Sequence, residues 1–147
     1  MIKFKLFDKE NYDKLKEMML TFYTSDALDT PLDKSIVQKL LEDILSKKYS
    51  VKGIEAYYKD KLVGFGVITS YYTSEVAGET IQLEDLYIED GYRSKGIAKE
   101  YFSKVRETYP DAKRFRLEVC STNERAIKLY EELGFKQIAY NQMVIDI

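Results

Sequence analysis

The chain contains no histidine and no tryptophan, and only one cysteine and two prolines. Without histidine there is no serine–histidine or cysteine–histidine nucleophile pair and no histidine-ligated metal site. The single cysteine, Cys120, forbids an intrachain disulfide and a cysteine-rich zinc site, and reads as a small apolar strand residue. An excess of positive charge is missing too: 23 basic residues face 25 acidic ones, for a net charge of −2. A general nucleic-acid binder usually shows a basic excess. Long apolar runs are also absent. The first sixteen residues, MIKFKLFDKENYDKLK, carry a charge every few positions, so they cannot form a signal-peptide apolar region. No stretch approaches the roughly 18 apolar residues of a membrane helix, and the expected compartment is the cytoplasm.

What is present suits one globular domain over residues 1–147. Hydrophobic residues make up 45% of the chain and charged residues 33%, with 13 tyrosines and seven phenylalanines to fill a core. Ile2, Phe4 and Leu6 alternate with lysines, which predicts a half-buried strand. Leu15, Met18, Met19 and Phe22 fall at helical spacing, with Asn11 as a cap, and a second helix follows from about Asp33. Segments 53–59 and 62–72 predict strands joined by a Lys59–Lys61 hairpin connection, and 80–88 predicts a third. A helix over 97–108, a strand over 114–119 and a helix around Ala126–Leu133 follow, with Gly134 as a left-handed cap. The tail, 135–147, has strand composition. The expected architecture is α/β: a mixed sheet with an antiparallel meander, a parallel right-handed β-α-β crossover, and flanking helices.

Three stretches carry candidate chemistry. Arg93-Ser94-Lys95-Gly96-Ile97-Ala98 lies between a strand and an amphipathic helix. A glycine turn at a helix N-terminus offers unpaired N–H groups and the positive end of the dipole, which bind phosphate oxygens. The triphosphate pattern G-x-x-x-x-G-K-[ST] and the dinucleotide pattern G-x-G-x-x-G are both missing. Upstream, Glu84 and Asp85 interrupt an apolar strand, where carboxylates are costly unless solvated or paired. Strict alternation places them on opposite faces, and Glu118 on the neighbouring strand could share a cleft with one of them. Third, Ser121 and Glu124 have capping-box spacing before the last helix, Asn123 is free to meet a ligand, and Tyr130 lies on the helix's apolar stripe.

The stretch L-E-D-L-Y-I-E-D-G-Y-R-S-K-G-I-A (83–98) followed by N-E-R-A-I-K-L-Y-E-E-L-G-F (123–135) resembles the GNAT superfamily of acyl-CoA N-acyltransferases. Arg93, Gly96 and Ala98 match its pyrophosphate loop, with alanine in the third place. Asn123, Ala126, Tyr130, Gly134 and Phe135 match its second block. The Leu-Glu-Asp-Leu-Tyr form of the strand is similar to the spermidine/spermine-like small-amine branch. The resemblance implies acetyl-CoA as cosubstrate, no metal, and a primary amine as acceptor. It implies a splayed sheet in which the pantetheine arm pairs with backbone of Leu86, Tyr87 and Ile88. The pyrophosphate would rest on N–H groups of Ser94, Lys95, Gly96, Ile97 and Ala98, with Arg93, Asn123 and Tyr130 also on the cofactor. Homodimers occur among relatives.

A lysine-like amine, pKa about 10.4, is neutral in only about one molecule per thousand at pH 7.4, so a base matters. Glu84 is the first candidate, Asp85 the second, Glu118 the third. Tyr130 is the candidate acid for the leaving thiolate. Acidic Asp26, Asp29 and Asp33 in the N-terminal half are compatible with a cationic substrate. Two rival readings stand beside a small-molecule acetyltransferase: a peptide or protein N-acetyltransferase, and a non-catalytic acyl-CoA-binding regulatory module.

Overall fold

The computed structural model describes residues 1–147. Alternation at the N-terminus produces β1 (Ile2–Leu6), and the two helical stripes produce α1 (Tyr12–Tyr23) and α2 (Lys34–Ser46). The β-branched and aromatic runs form β2 (Lys52–Tyr58), β3 (Lys61–Thr73) and β4 (Gly78–Ile88). Then come α3 (Ile97–Thr108), β5 (Arg114–Leu117) and α4 (Glu124–Glu132). Lys59 and Asp60 both have positive φ, so β2 and β3 are joined by a two-residue turn of the kind that matches strand twist.

The sheet order is β1-β2-β3-β4-β5, antiparallel throughout except for the parallel β4–β5 pair. That pair is short. It runs from Thr80↔Arg114 to Leu83↔Leu117, after which the two strands part. The tail departs from expectation: residues 135–147 form no strand, and Met143, Val144, Ile145 and Ile147 are exposed. Strand composition needs a partner edge to become a strand, and here none is engaged.

Two apolar layers flank the sheet. On one face Leu15, Met18, Met19 and Tyr23 of α1 meet Val37, Leu41 and Ile44 of α2 over Phe65 and Val67. Each such fully buried aliphatic side chain contributes about 1.5–3 kcal/mol. On the other face α3 places Tyr101 and Val105 against Ile68 and Ile81. Asn11 does not cap α1 with its side chain. It donates instead to both oxygens of Glu55, a carboxylate only 1% exposed that also accepts from Asp8 N–H and the Tyr57 hydroxyl. Four donor contacts hold that buried charge and tie the start of α1 to β2.

Candidate active site

β4 carries a bulge. Val67 pairs with Asp85 but Ile68 pairs with Leu83, so Glu84 is the extra residue. A bulge breaks strand alternation. The two carboxylates therefore do not face opposite ways, contrary to the simple alternation rule. Glu84 accepts from Thr69 Oγ1 at 3.0 Å, and Asp85 accepts from the Tyr23 hydroxyl of α1 at 2.8 Å. Thr69 lies two residues beyond Val67, which packs in the α1–α2 layer, so both acids turn toward that layer.

Their environments differ. Glu84 is exposed, whereas Asp85 is largely buried. Burial pushes the Asp85 carboxyl up to about 6; the Tyr23 hydrogen bond opposes this, and the charges of Glu84 and Glu118 add to it. Tyr23 in turn is held protonated by burial and by the Asp85 charge.

Where β4 and β5 part, a cavity of about 800 Å³ opens through the sheet. Asp29, Glu84, Asp85 and Glu118 line it, and no lysine or arginine does. Tyr130 of α4 reaches it from the far wall, against the ring of Phe135. Its hydroxyl has no hydrogen-bond partner in the protein, and burial raises its pKa above the ordinary phenol value. Leu86, Ala98 and Asn123 also border the cavity. Asp26 and Asp33 do not.

Along the end of β4, Glu89 N–H donates to Val63 O, so Tyr87 shares that orientation toward β3, and Leu86 and Ile88 turn their backbone outward. The outward edge expected over three residues thus belongs to Leu86 and Ile88. Tyr87 instead packs its ring beside Phe65 and Phe22.

The turn before α3 leaves its backbone N–H groups unpaired. Ser94 and Gly96 both have positive φ, and Gly96 caps α3 without a side-chain hydrogen bond. No backbone N–H from Ser94 to Lys99 donates to a protein acceptor. Arg93 serves the loop itself: its Nε donates to Ile88 O at 2.9 Å and it pairs with Asp90 at 2.6 Å. Lys95 lies over the Tyr58 ring. Arg125, in the first turn of α4, touches Ser94 Oγ and adds a positive charge beside the turn.

Some expectations are replaced. Asn123 accepts from Ala126 N–H and caps α4, so the Ser121–Glu124 capping box does not form. Gly134 (φ 100°) closes the helix, with Phe135 N–H donating to Tyr130 O. Cys120 is exposed beyond β5, not a strand residue. Sequence reasoning missed Tyr23 and Arg125. Nothing in the pattern marks Tyr23, one aromatic on an apolar stripe. Arg125 could have been noticed as a cation inside the second motif block.

The sequence matches the model of the acetyltransferase (GNAT) family over residues 12–135. The chain belongs to this family. It is 37% identical over 79 residues to a thialysine N-epsilon-acetyltransferase of Sus scrofa, covering 52% of this chain and 46% of that protein. The match thus spans about half the length of that relative. It is 26% identical over 127 residues to the spermine/spermidine N(1)-acetyltransferase of Bacillus subtilis, covering 77% of this chain and 84% of that one. An aminoglycoside N-acetyltransferase solved in complex with CoA shares the fold, with a TM-score of 0.79 at 14% identity over 99% of this chain and 95% of the other. No helix of the GNAT chain is long and apolar enough to cross a membrane.

Proposed function

We propose that this chain transfers an acetyl group from acetyl-CoA to a primary amine of a small cationic molecule. The observation that carries the reading is the cavity's charge: four carboxylates and no basic residue, opening where the sheet splays. Such a lining attracts an ammonium and disfavours an anionic acceptor. The small-amine substrates named for the Sus scrofa and Bacillus subtilis relatives support the same class.

The unpaired N–H groups of residues 94–99 fit a pyrophosphate, with Arg125 beside them. The outward backbone of Leu86 and Ile88 suits an extended amide-containing arm, as in strand addition. When bound, acetyl-CoA supplies a thioester that an amine can attack without a covalent enzyme intermediate. That agrees with a chain lacking an activated nucleophile.

Asp85 takes the role of base ahead of Glu84. A carboxyl raised to about 6 is better matched to proton removal near neutral pH than an exposed one. The outward Ile88 N–H is the donor for a developing oxyanion. Tyr130 keeps its proton at neutral pH, and its free hydroxyl can protonate the sulfur as the thiolate leaves.

The test is thiol release from acetyl-CoA with a panel of mono-, di- and polyamines, set beside amino-terminal peptides. Turnover with the small cations and none with peptides is expected. Preference for peptides would overturn the acceptor class. CoA binding without thiol release on any amine would overturn the enzyme reading.

A further inference from the structure

Three lysines converge at the corner of the sheet beside the turn before α3. Lys59 lies in the β2–β3 turn, Lys61 opens β3, and Lys95 belongs to the turn whose N–H groups are unpaired. Two tyrosine rings hold their side chains. Lys59 Nζ stands 5.6 Å from the centre of the Tyr58 ring, and Lys95 Nζ stands 5.5 Å from the same centre. Lys61 Nζ stands 5.1 Å from the centre of the Tyr92 ring and donates to its hydroxyl at 3.1 Å. The two rings are 5.9 Å apart and pack against the cluster of Ala56, Val63 and Ile97. Ile97 is the first residue of α3, so the rings are fixed to the helix that the turn leads into.

Lysines also lie singly over Tyr12, Tyr49, Tyr57 and Tyr109. Here three share two adjacent rings. None of the three has a carboxylate at ion-pair distance: Asp60 pairs with Lys3, and Asp90 pairs with Arg93. The chain has a net charge of −2, yet this corner keeps three ammoniums without a counter-ion. Their mutual repulsion is offset only by the rings, and a bound anion would relieve it.

We infer that this corner holds the 3′-phosphate of the CoA nucleotide, an inference that rests on acetyl-CoA being the donor. With the pyrophosphate on the N–H groups of residues 94–99, the 3′-phosphate is one ribose away, and Lys95 belongs to both places. A phosphate monoester carries nearly two negative charges at neutral pH, which suits several compact ammoniums. The rings already order the lysine side chains, so less freedom is lost on binding. Arg125 reaches the turn from α4 and is left to the pyrophosphate.

Titration calorimetry with CoA and with dephospho-CoA, which lacks only that phosphate, tests the inference without turnover. The wild type is expected to bind CoA about ten-fold more tightly, as for a few exposed ion pairs, and the gap should narrow as salt rises. All three lysines are exposed, so their loss should not unfold the chain. The Lys59→Ala/Lys61→Ala variant should bind the two ligands nearly alike. Equal wild-type affinities overturn the inference and leave acetyl-CoA as the donor. So does a preference undiminished in the double variant; if Arg125→Ala then removes it, the phosphate lies against α4 instead. Failure of both ligands to bind overturns the donor itself, and this inference with it.

Discussion

The Tyr23 hydroxyl on α1 donates to Asp85 Oδ2 on β4 at 2.8 Å, joining the helical layer to the wall of the cavity. Burial drives the Asp85 carboxyl up, and this one hydrogen bond restrains the rise. Under the proposed function, the pair therefore sets the pH at which the cavity holds a base.

Asp85→Asn should lower kcat/KM by about 100-fold, in the range of a lost general base. In the wild type, a base must be deprotonated, so the rate should fall as pH drops through about 6. The variant should lose that acid limb. A pH–rate profile in which the variant keeps the limb would assign the base elsewhere.

Tyr23→Phe removes the donor that favours the Asp85 carboxylate, leaving burial unopposed. The acid limb should move to higher pH, with activity at pH 8 retained. A limb that stays put or moves down would show that the hydrogen bond does not control the carboxyl.

The same shift predicts a stability effect of opposite benefit. Asp85 in the folded chain binds its proton up to about 6, against an ordinary value of 3.8. Between those values the folded state holds more protons than the unfolded one, so stability falls as pH rises through that window. That difference corresponds to about 3 kcal/mol, an upper figure for a partly hydrated site. Asp85→Asn, which keeps an acceptor for Tyr23, should melt higher than wild type at pH 7 and level with it at pH 3.5. Equal melting at both pH values would contradict a strained carboxylate.

Tyr130→Phe should cut kcat by about 100-fold with little change in folding, because the hydroxyl has no protein partner to lose. Glu84→Gln should change kcat by no more than a few-fold, since Glu84 is exposed and bonded to Thr69. A larger loss at Glu84 than at Asp85, measured side by side, would restore the first reading of the sequence.

The sequence alone leaves the choice of base open for a definable reason. Period and composition locate every helix and strand but the tail, and the two motif blocks locate the turn before α3 and Tyr130. The choice between Glu84 and Asp85 depends on a bulge, which shifts one residue and leaves composition untouched. The Tyr23 contact spans 62 positions and has no local signature. The contact between Arg125 and Ser94 spans 31 positions and likewise has no local signature. The tail, 135–147, looks like strand because it has strand residues; pairing is a property of the edge it meets.

Tyr101, which also borders the cavity, gives a test of the core. Its hydroxyl is buried without any hydrogen-bond partner, pressed against Gly66 of β3. A buried, unsatisfied hydroxyl costs about 1–3 kcal/mol, so Tyr101→Phe should stabilise the chain by about 1 kcal/mol. A Cβ at Gly66 would collide with the Tyr101 ring and hydroxyl, so Gly66→Ala should destabilise by about 1–3 kcal/mol. Tyr101→Leu vacates that space. Gly66→Ala should then cost less when combined with Tyr101→Leu than in wild type, a coupling that a denaturation cycle of the four proteins reads directly. Additive effects across the cycle, or a destabilised Tyr101→Phe, would mean that the hydroxyl has a partner or that the two residues do not meet.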